Sequence, residues 1–187
     1  MFLLVGLGNP EPRYAGNRHN AGFRVLDELA GRANVALAER FKGRFGQGVL
    51  AGEKVLLLQP LTFMNRSGEA VAAAAQYFKV PLDETVIVHD EMDIEFGRLQ
   101  LKRGGGTGGH NGLRSIEASL GSPDFLRVRV GVGRPPPRWD PADWVLSDFD
   151  ASEREELPSV VQEAADACQM VVERGMSAAM NQYNRRV

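Results

Sequence analysis

Apolar residues fall in short clusters along the chain, separated by polar residues and glycine. Phe2–Leu7 is an apolar run ending in Gly8-Asn9-Pro10, the pattern of a buried strand followed by a loop. Over Ala21–Ala33, the spacing of Phe23, Leu26, Leu29 and Ala30 predicts an amphipathic helix. Phe45–Leu50 and Lys54–Gln59 flank Ala51-Gly52-Glu53 and predict a hairpin closed by Pro60. Alanine-rich Ser67–Lys79 predicts a helix. Thr85–His89 is β-branched and apolar and predicts a central strand, with Arg98–Lys102 an edge or half-buried one. Leu113–Leu120 predicts a helix after the glycine-rich stretch 104–109. Phe125–Val132 alternates Leu126, Val128, Val130 and Val132 with Arg127, Arg129 and Gly131, a strand with one basic face. Arg134-Pro135-Pro136-Pro137-Arg138 is stiff and extended. Ala142–Phe149 reads as a short helix, and Ser152–Arg174 as a long one, N-capped by Ser152 and ended by Gly175. Ser177–Asn184 reads as a last short helix. Strands alternating with helices predict a single α/β domain over residues 1–187 with a mostly parallel sheet.

Composition narrows the picture. Hydrophobic residues make up 43% and charged residues 25% of 187, which excludes a disordered or collagen-like chain. No apolar stretch is long enough for a membrane span, and the N-terminus lacks the basic region of a signal peptide. The single cysteine, Cys168, rules out an internal disulfide and a four-cysteine zinc site, and fits a reducing compartment. It shares a helix face with Ala164, Ala165 and Val171, so it reads as core. The net charge of −2 hides an asymmetry. Residues 1–138 carry 18 basic and 14 acidic side chains (+4), and residues 139–187 carry 4 and 10 (−6). A near-neutral total can therefore conceal a basic face.

Each of the three histidines precedes a carboxamide or carboxylate: His19-Asn20, His89-Asp90 and His110-Asn111. Asn9 and His19 lie just after the first predicted strand, where α/β sheets bind ligands. In His89-Asp90-Glu91-Met92-Asp93, strand alternation puts His89 and Glu91 on one face and Asp90 on the other. That spoils a metal spacing and leaves Asp90 free to orient a histidine from another loop. Asn65 stands where it either caps the alanine-rich helix or, with Asn9 and Asn111, offers carboxamides to a carbonyl or an oxyanion. The 104–109 stretch lacks the Gly-Lys-Ser/Thr ending of a nucleotide loop, and position 11 is glutamate where a dinucleotide fingerprint needs glycine. With no Gly-x-Ser-x-Gly elbow, the residues favour a base-activated water over a covalent intermediate.

The chain resembles the bacterial peptidyl-tRNA hydrolase family over essentially its full length. The resemblance rests on Val5-Gly6-Leu7-Gly8-Asn9-Pro10, on Tyr14 with Arg18-His19-Asn20-Ala21-Gly22, and on Phe63-Met64-Asn65-Arg66-Ser67-Gly68. It continues through His89-Asp90-Glu91-Met92-Asp93 and Gly108-Gly109-His110-Asn111-Gly112-Leu113. Asn17 departs from the threonine usual in the family, and Thr107 stands at a variable position. The resemblance implies a mixed sheet covered by helices on both faces and cleavage of the ester joining a peptide to the 3′ ribose of tRNA. It implies His19 as general base, Asp90 orienting it, and Asn9, Asn65 and Asn111 contacting peptide or water. Tyr14 and Met64 would line the groove and His110 would be a neighbouring contact. It further implies no metal or other cofactor and a cytoplasmic monomer. The tRNA phosphates are assigned to Lys102, Arg103, Arg129 and Arg134, then Arg127 and Arg138, with the acidic segment 139–187 facing away. Three other readings remain: an RNA-binding relative that has lost hydrolysis, a metal-dependent hydrolase using His89, Asp90, Glu91 and Asp93, and a protein-binding module built on the long helix.

Overall fold

The computed structural model describes residues 1–184. Among them, seven strands form one sheet: β1 (Phe2–Gly6), β2 (Ala38–Arg40), β3 (Gly43–Leu50), β4 (Glu53–Pro60), β5 (Thr85–Glu91), β6 (Leu99–Arg103) and β7 (Leu126–Gly131). Their order is β2-β3-β4-β1-β5-β7-β6. Strands β4, β1, β5 and β7 pair in parallel, while β2–β3, β3–β4 and β6–β7 are antiparallel. Only β3 and β6 therefore run against the rest, and the sheet is mixed but mostly parallel. The helices are α1 (Ala21–Arg32), α2 (Ser67–Phe78), α3 (Asn111–Leu120), α4 (Pro141–Val145), α5 (Ala151–Arg174) and α6 (Met176–Tyr183). None is long and apolar enough to cross a membrane.

Both faces of the sheet are covered, which is why the central strands read as continuous apolar runs. Leu4, Val86, Val88 and Val128 pack under α1, α5 and α6. Leu3, Val5, Ile87 and Phe125 pack under α2 and α3. The chain leaves β1 through α1 on one face and leaves β4 through α2 on the other. That reversal opens a crevice at the carboxyl ends of the central strands. Cys168 sits on the buried face of α5, its thiol pushed up to about 12 by burial, and is inert core.

The differences from expectation have local causes. Strand β2 is three exposed residues with no apolar alternation to announce it. Pro60 ends β4 inside the strand; β1 pairs only as far as Leu58, so the missing N–H costs no ladder bond. Strand β5 runs on to Glu91, which puts Asp90 in the strand itself. Helix α5 is capped by Asp150, not Ser152: Asp150 accepts from the Glu153 N–H while Glu153 accepts from the Asp150 N–H. The short helix ends at Val145, because the next residues turn back to pair Asp148 with Asn17.

Close approach of α1 to the sheet depends on Gly22. A Cβ there would lie 2.4 Å from the Val88 carbonyl oxygen and 2.5 Å from the Leu7 nitrogen, both rigid backbone. Gly31, in the same helix, faces open space. Urea unfolding should therefore find Gly22→Ala destabilised by about 1–3 kcal/mol and Gly31→Ala stabilised by about 0.4–1 kcal/mol. Equal effects at the two positions would contradict this packing account.

Candidate active site

Three elements converge on one carboxylate. Asp90 comes from the end of β5, His19 from the 3-10 turn Arg18–Asn20 that leads into α1, and His110 from the N-cap of α3. His19 Nδ1 lies 2.9 and 2.8 Å from the two Asp90 oxygens. His110 Nε2 lies 2.8 Å from Asp90 Oδ1. The His19 and His110 rings are 4.9 Å apart.

The α3 N-terminus decides where the protons are. The Gly112 and Leu113 N–H groups donate to His110 Nδ1 at 3.1 and 3.4 Å. An acceptor nitrogen carries no proton, so the His110 proton is on Nε2 and is donated to Asp90. Asp90 is buried, which alone would keep it protonated; the charge of His19 when protonated and the hydrogen bonds from His19 and His110 outweigh burial and hold its pKa well below the usual value. The ionised Asp90 takes the Nδ1–H of His19. Nε2 is then the basic nitrogen of that ring, and it forms no hydrogen bond among the described residues. Burial works against a charged His19, but the charge and hydrogen bond of Asp90 win and raise its pKa. Beside them, burial drives His89 down to about 3, so it stays neutral, donating Nδ1–H to the Asp90 carbonyl at 2.8 Å.

A cavity of about 320 Å³ opens over this cluster. His19, Asp90 and His110 line it together with Asn9, Met64, Asn65 and Asn111. Asn9 is fixed through its backbone: Asn20 accepts from its N–H at 2.8 Å and donates to its carbonyl at 3.0 Å. Its own carboxamide is left for the cavity. Asn65 is exposed and makes no cap bond to α2, which removes the helix-capping reading. Gly112 lets Met64 approach α3, since a Cβ there would meet the Met64 sulfur at 2.8 Å. The remaining walls are Glu91 and Met92 at the end of β5, Gly108 and Gly109 of the glycine loop, and Pro141, Ala142, Val145 and Leu146 on and just after α4.

Of the residues singled out from the sequence, Tyr14 stands apart from this cavity, its ring under the Arg13 guanidinium at 4.6 Å. His110 has both nitrogens engaged by the protein and acts on Asp90. The metal set read from the sequence, His89, Asp90, Glu91 and Asp93, is dispersed. Glu91 pairs with Arg129, Asp93 with Arg134, and His89 spends its Nδ1–H on the Asp90 backbone carbonyl, its ring 5.1 Å from that of His110. The ligand atoms of His19, Asp90 and His110 do lie within 4.8 Å of one another. However, a protonated His110 Nε2 has no lone pair for a metal, and moving its proton to Nδ1 would set it against two N–H donors. The donor set suits a proton, not a cation.

Arg127 is not a surface contact. It is 2% exposed, and its guanidinium donates to the carbonyls of Gly105, Gly106 and Pro123, bracing the glycine loop from beneath. Alternation along β6 also splits the other cations. Lys102, opposite Arg127, shares the face of Arg129, whereas Arg103 shares the face of Leu99 and Leu101 at the end of the sheet away from the cavity. Nor does the whole acidic segment turn away, because α4 forms a wall of the cavity.

Two positioning residues escaped the sequence reading. Asn20 pins Asn9, and its place directly after His19 was the available signal. Arg18 is buried. It pairs with Glu153 at 2.6 Å, bonds Ser147 at 2.5 Å and lies 3.5 Å over the Trp144 ring, tying the His19 turn to α4 and α5. An arginine in a loop gives no advance sign of burial.

A family model described as "Peptidyl-tRNA hydrolase" matches residues 3–187. A peptidyl-tRNA hydrolase of Frankia casuarinae is 53% identical over 184 residues, covering 98% of this chain and 93% of that protein. One of Anaeromyxobacter dehalogenans is 52% identical over 187 residues, covering 100% and 97%. The crystal structure of peptidyl-tRNA hydrolase from Acinetobacter baumannii superposes with a TM-score of 0.93 at 37% identity, covering 99% of this chain and 95% of that one.

The electrostatics predict a measurable shift. Asp90→Asn removes the carboxylate charge that raises the His19 pKa and leaves burial, the largest influence, which lowers it. Titration by NMR should place His19 above 6.5 in the wild type and below 6.5 in the variant. An unchanged His19 pKa would break the proposed coupling.

Proposed function

The chain belongs to the peptidyl-tRNA hydrolase family, and from that premise we propose how its cavity cleaves the ester between a peptide and the 3′ ribose of tRNA. His19 Nε2 takes a proton from water, and the resulting hydroxide attacks the ester carbonyl. The carboxamides of Asn9, Asn65 and Asn111 donate to the oxygen that becomes negative. Collapse expels the ribose 3′ oxygen, which recovers the proton from His19. Asp90 stays ionised throughout and stabilises the imidazolium that forms between the two transfers. The observation that carries this reading is the pair of Asp90 oxygens at 2.9 and 2.8 Å from His19 Nδ1.

A ribose alkoxide is a workable leaving group, so a positioned base and an oxyanion site suffice. General-base assistance is worth about 10²–10⁴-fold, and one oxyanion donor about 10²–10³-fold. No step calls on a metal or organic cofactor. The base, its orienting carboxylate and three carboxamides lining a single cavity favour the enzyme over a non-catalytic RNA-binding relative.

Phosphate contacts position the tRNA. Lys102, Arg129 and Arg134 are the supported set, with Arg103 set aside for its place on the other face. Arg129 and Arg134 are held by Glu91 and Asp93 and would exchange those carboxylates for phosphate. Lys102, which has no ion pair among the described residues, would engage first. A tRNA substrate supports a cytoplasmic setting.

Chelator-treated protein should rapidly release the N-acetylated amino acid from an N-acetyl-aminoacyl-tRNA, and His19→Ala should slow release by at least about 10²-fold. Release that survives in His19→Ala would remove His19 as the base. Failure of the well-folded wild type to release any product would sink the hydrolase reading. The wild-type rate should fall below an apparent pKa above 6.5, as the raised His19 pKa requires its deprotonated form. Lys102→Ala should raise KM and flatten its salt dependence by about one phosphate contact; an unchanged salt slope would take Lys102 out of the tRNA path.

A further inference from the structure

Beside the catalytic cavity lies a second, larger groove of about 820 Å³. It is bounded by the loop after β1, the β2–β3 hairpin, the segment after β4 and the start of α2. It continues the catalytic cavity by covalent neighbours: Pro10 follows Asn9, Phe63 precedes Met64, and Arg66 follows Asn65. It borders only that side of the cavity, away from Asp90, the glycine loop and α4.

Its charge differs from that of the β6–β7 edge. Glu11, Glu39 and Glu69 balance Arg40, Lys42 and Arg66, so the formal sum is zero. Glu69 takes both Lys42, at 2.8 Å, and Arg66, at 2.5 Å. The Arg40 guanidinium lies over the rings of Phe41 and Tyr77 at 4.4 and 4.7 Å. Phe63 offers an exposed apolar ring at the junction with the cavity. A polyanion needs an excess of cations, and this groove has none. A wide track with both signs of charge and apolar faces suits a chain of variable sequence.

We infer that this groove receives the residues of the peptide upstream of the ester, an inference that rests on the hydrolase reading above. The substrate then lies across the carboxyl end of the sheet. Its tRNA leaves over β6 and β7, and its peptide leaves past Asn9 and Asn65 toward the β2–β3 hairpin. Longer peptides gain binding that a single blocked amino acid lacks.

The test uses one tRNA charged with an N-acetylated amino acid or with N-acetylated pentapeptides carrying either glutamate or lysine at the upstream positions. Wild type should cleave the pentapeptidyl substrates at lower KM than the short one. Lys42→Glu/Arg66→Glu takes the groove from zero to −4. Relative to the short substrate, it should cut kcat/KM for the acidic peptide by at least about threefold and raise it for the basic peptide. Because the tRNA is common, its own repulsion cancels in the ratio. Ratios equal to wild type, with the short substrate still cleaved, would overturn the groove assignment alone. No cleavage of any substrate by wild type would overturn the hydrolase reading beneath it. A benzophenone on the fourth upstream residue, held uncleaved on His19→Ala, should label residues 39–43 or 61–69; labelling of α4 or β6 instead would also overturn the track.

Discussion

A buried carboxylate must be paired, and most of this site follows from the pairing of Asp90. An isolated charge buried without partners costs several kcal/mol, so Asp90 at the end of β5 needs donors from both sides. One donor is His19, which becomes a base only because Asp90 holds its Nδ1–H. The other is His110, which has its single proton on Nε2 because the first N–H groups of α3 occupy Nδ1. A helix N-terminus thus sets a tautomer, the tautomer sustains a carboxylate, and the carboxylate makes a base on another loop. No covalent nucleophile is required, and the chemistry rests on ordinary hydrogen-bond donors in fixed places.

The surrounding packing keeps this chain of contacts in register. Gly22 allows α1 to sit directly on the backbone of β1 and β5, so the turn carrying His19 lands over Asp90. Arg18 clamps the same turn to α4 and α5, using an acid that also caps α5. Gly112 and Met64 close the opposite side, and buried Arg127 braces the glycine loop that delivers His110. Electrostatics then divides the mouth of the site. Cations that can meet phosphate lie toward β6 and β7, while the side past Asn9 and Asn65 is neutral in sum.

Much of this is legible in the sequence. Apolar runs mark β1, β4 and β5 because strands buried on both faces need no polar positions, and alternation of apolar and basic residues marks β7. Strand alternation separated Asp90 from His89 and Glu91, and that separation pointed to a histidine arriving from elsewhere. Asn9, Asn65 and Asn111 reached one cavity because each stands at an element end near the crevice. What stayed hidden depends on contacts distant in sequence. Arg127 looked like part of a basic face, yet it serves backbone carbonyls that only the folded loop brings near. Arg103 looked equivalent to Lys102 until pairing with β7 put it on the other face. His110 does line the cavity, but nothing local reveals that both of its nitrogens are taken by the protein. Strand β2 and the Asp150 cap lacked any apolar rhythm to mark them.

Nitrogen-15 NMR of the histidine side chains tests the central claim most directly, because it reads the protonation of each ring nitrogen in the resting protein. At neutral to mildly basic pH, the account requires His110 protonated on Nε2 with a bare, hydrogen-bonded Nδ1. It requires His19 protonated on Nδ1 with Nε2 as the nitrogen that titrates. A His110 found protonated on Nδ1, or a neutral His19 carrying its proton on Nε2, would contradict it.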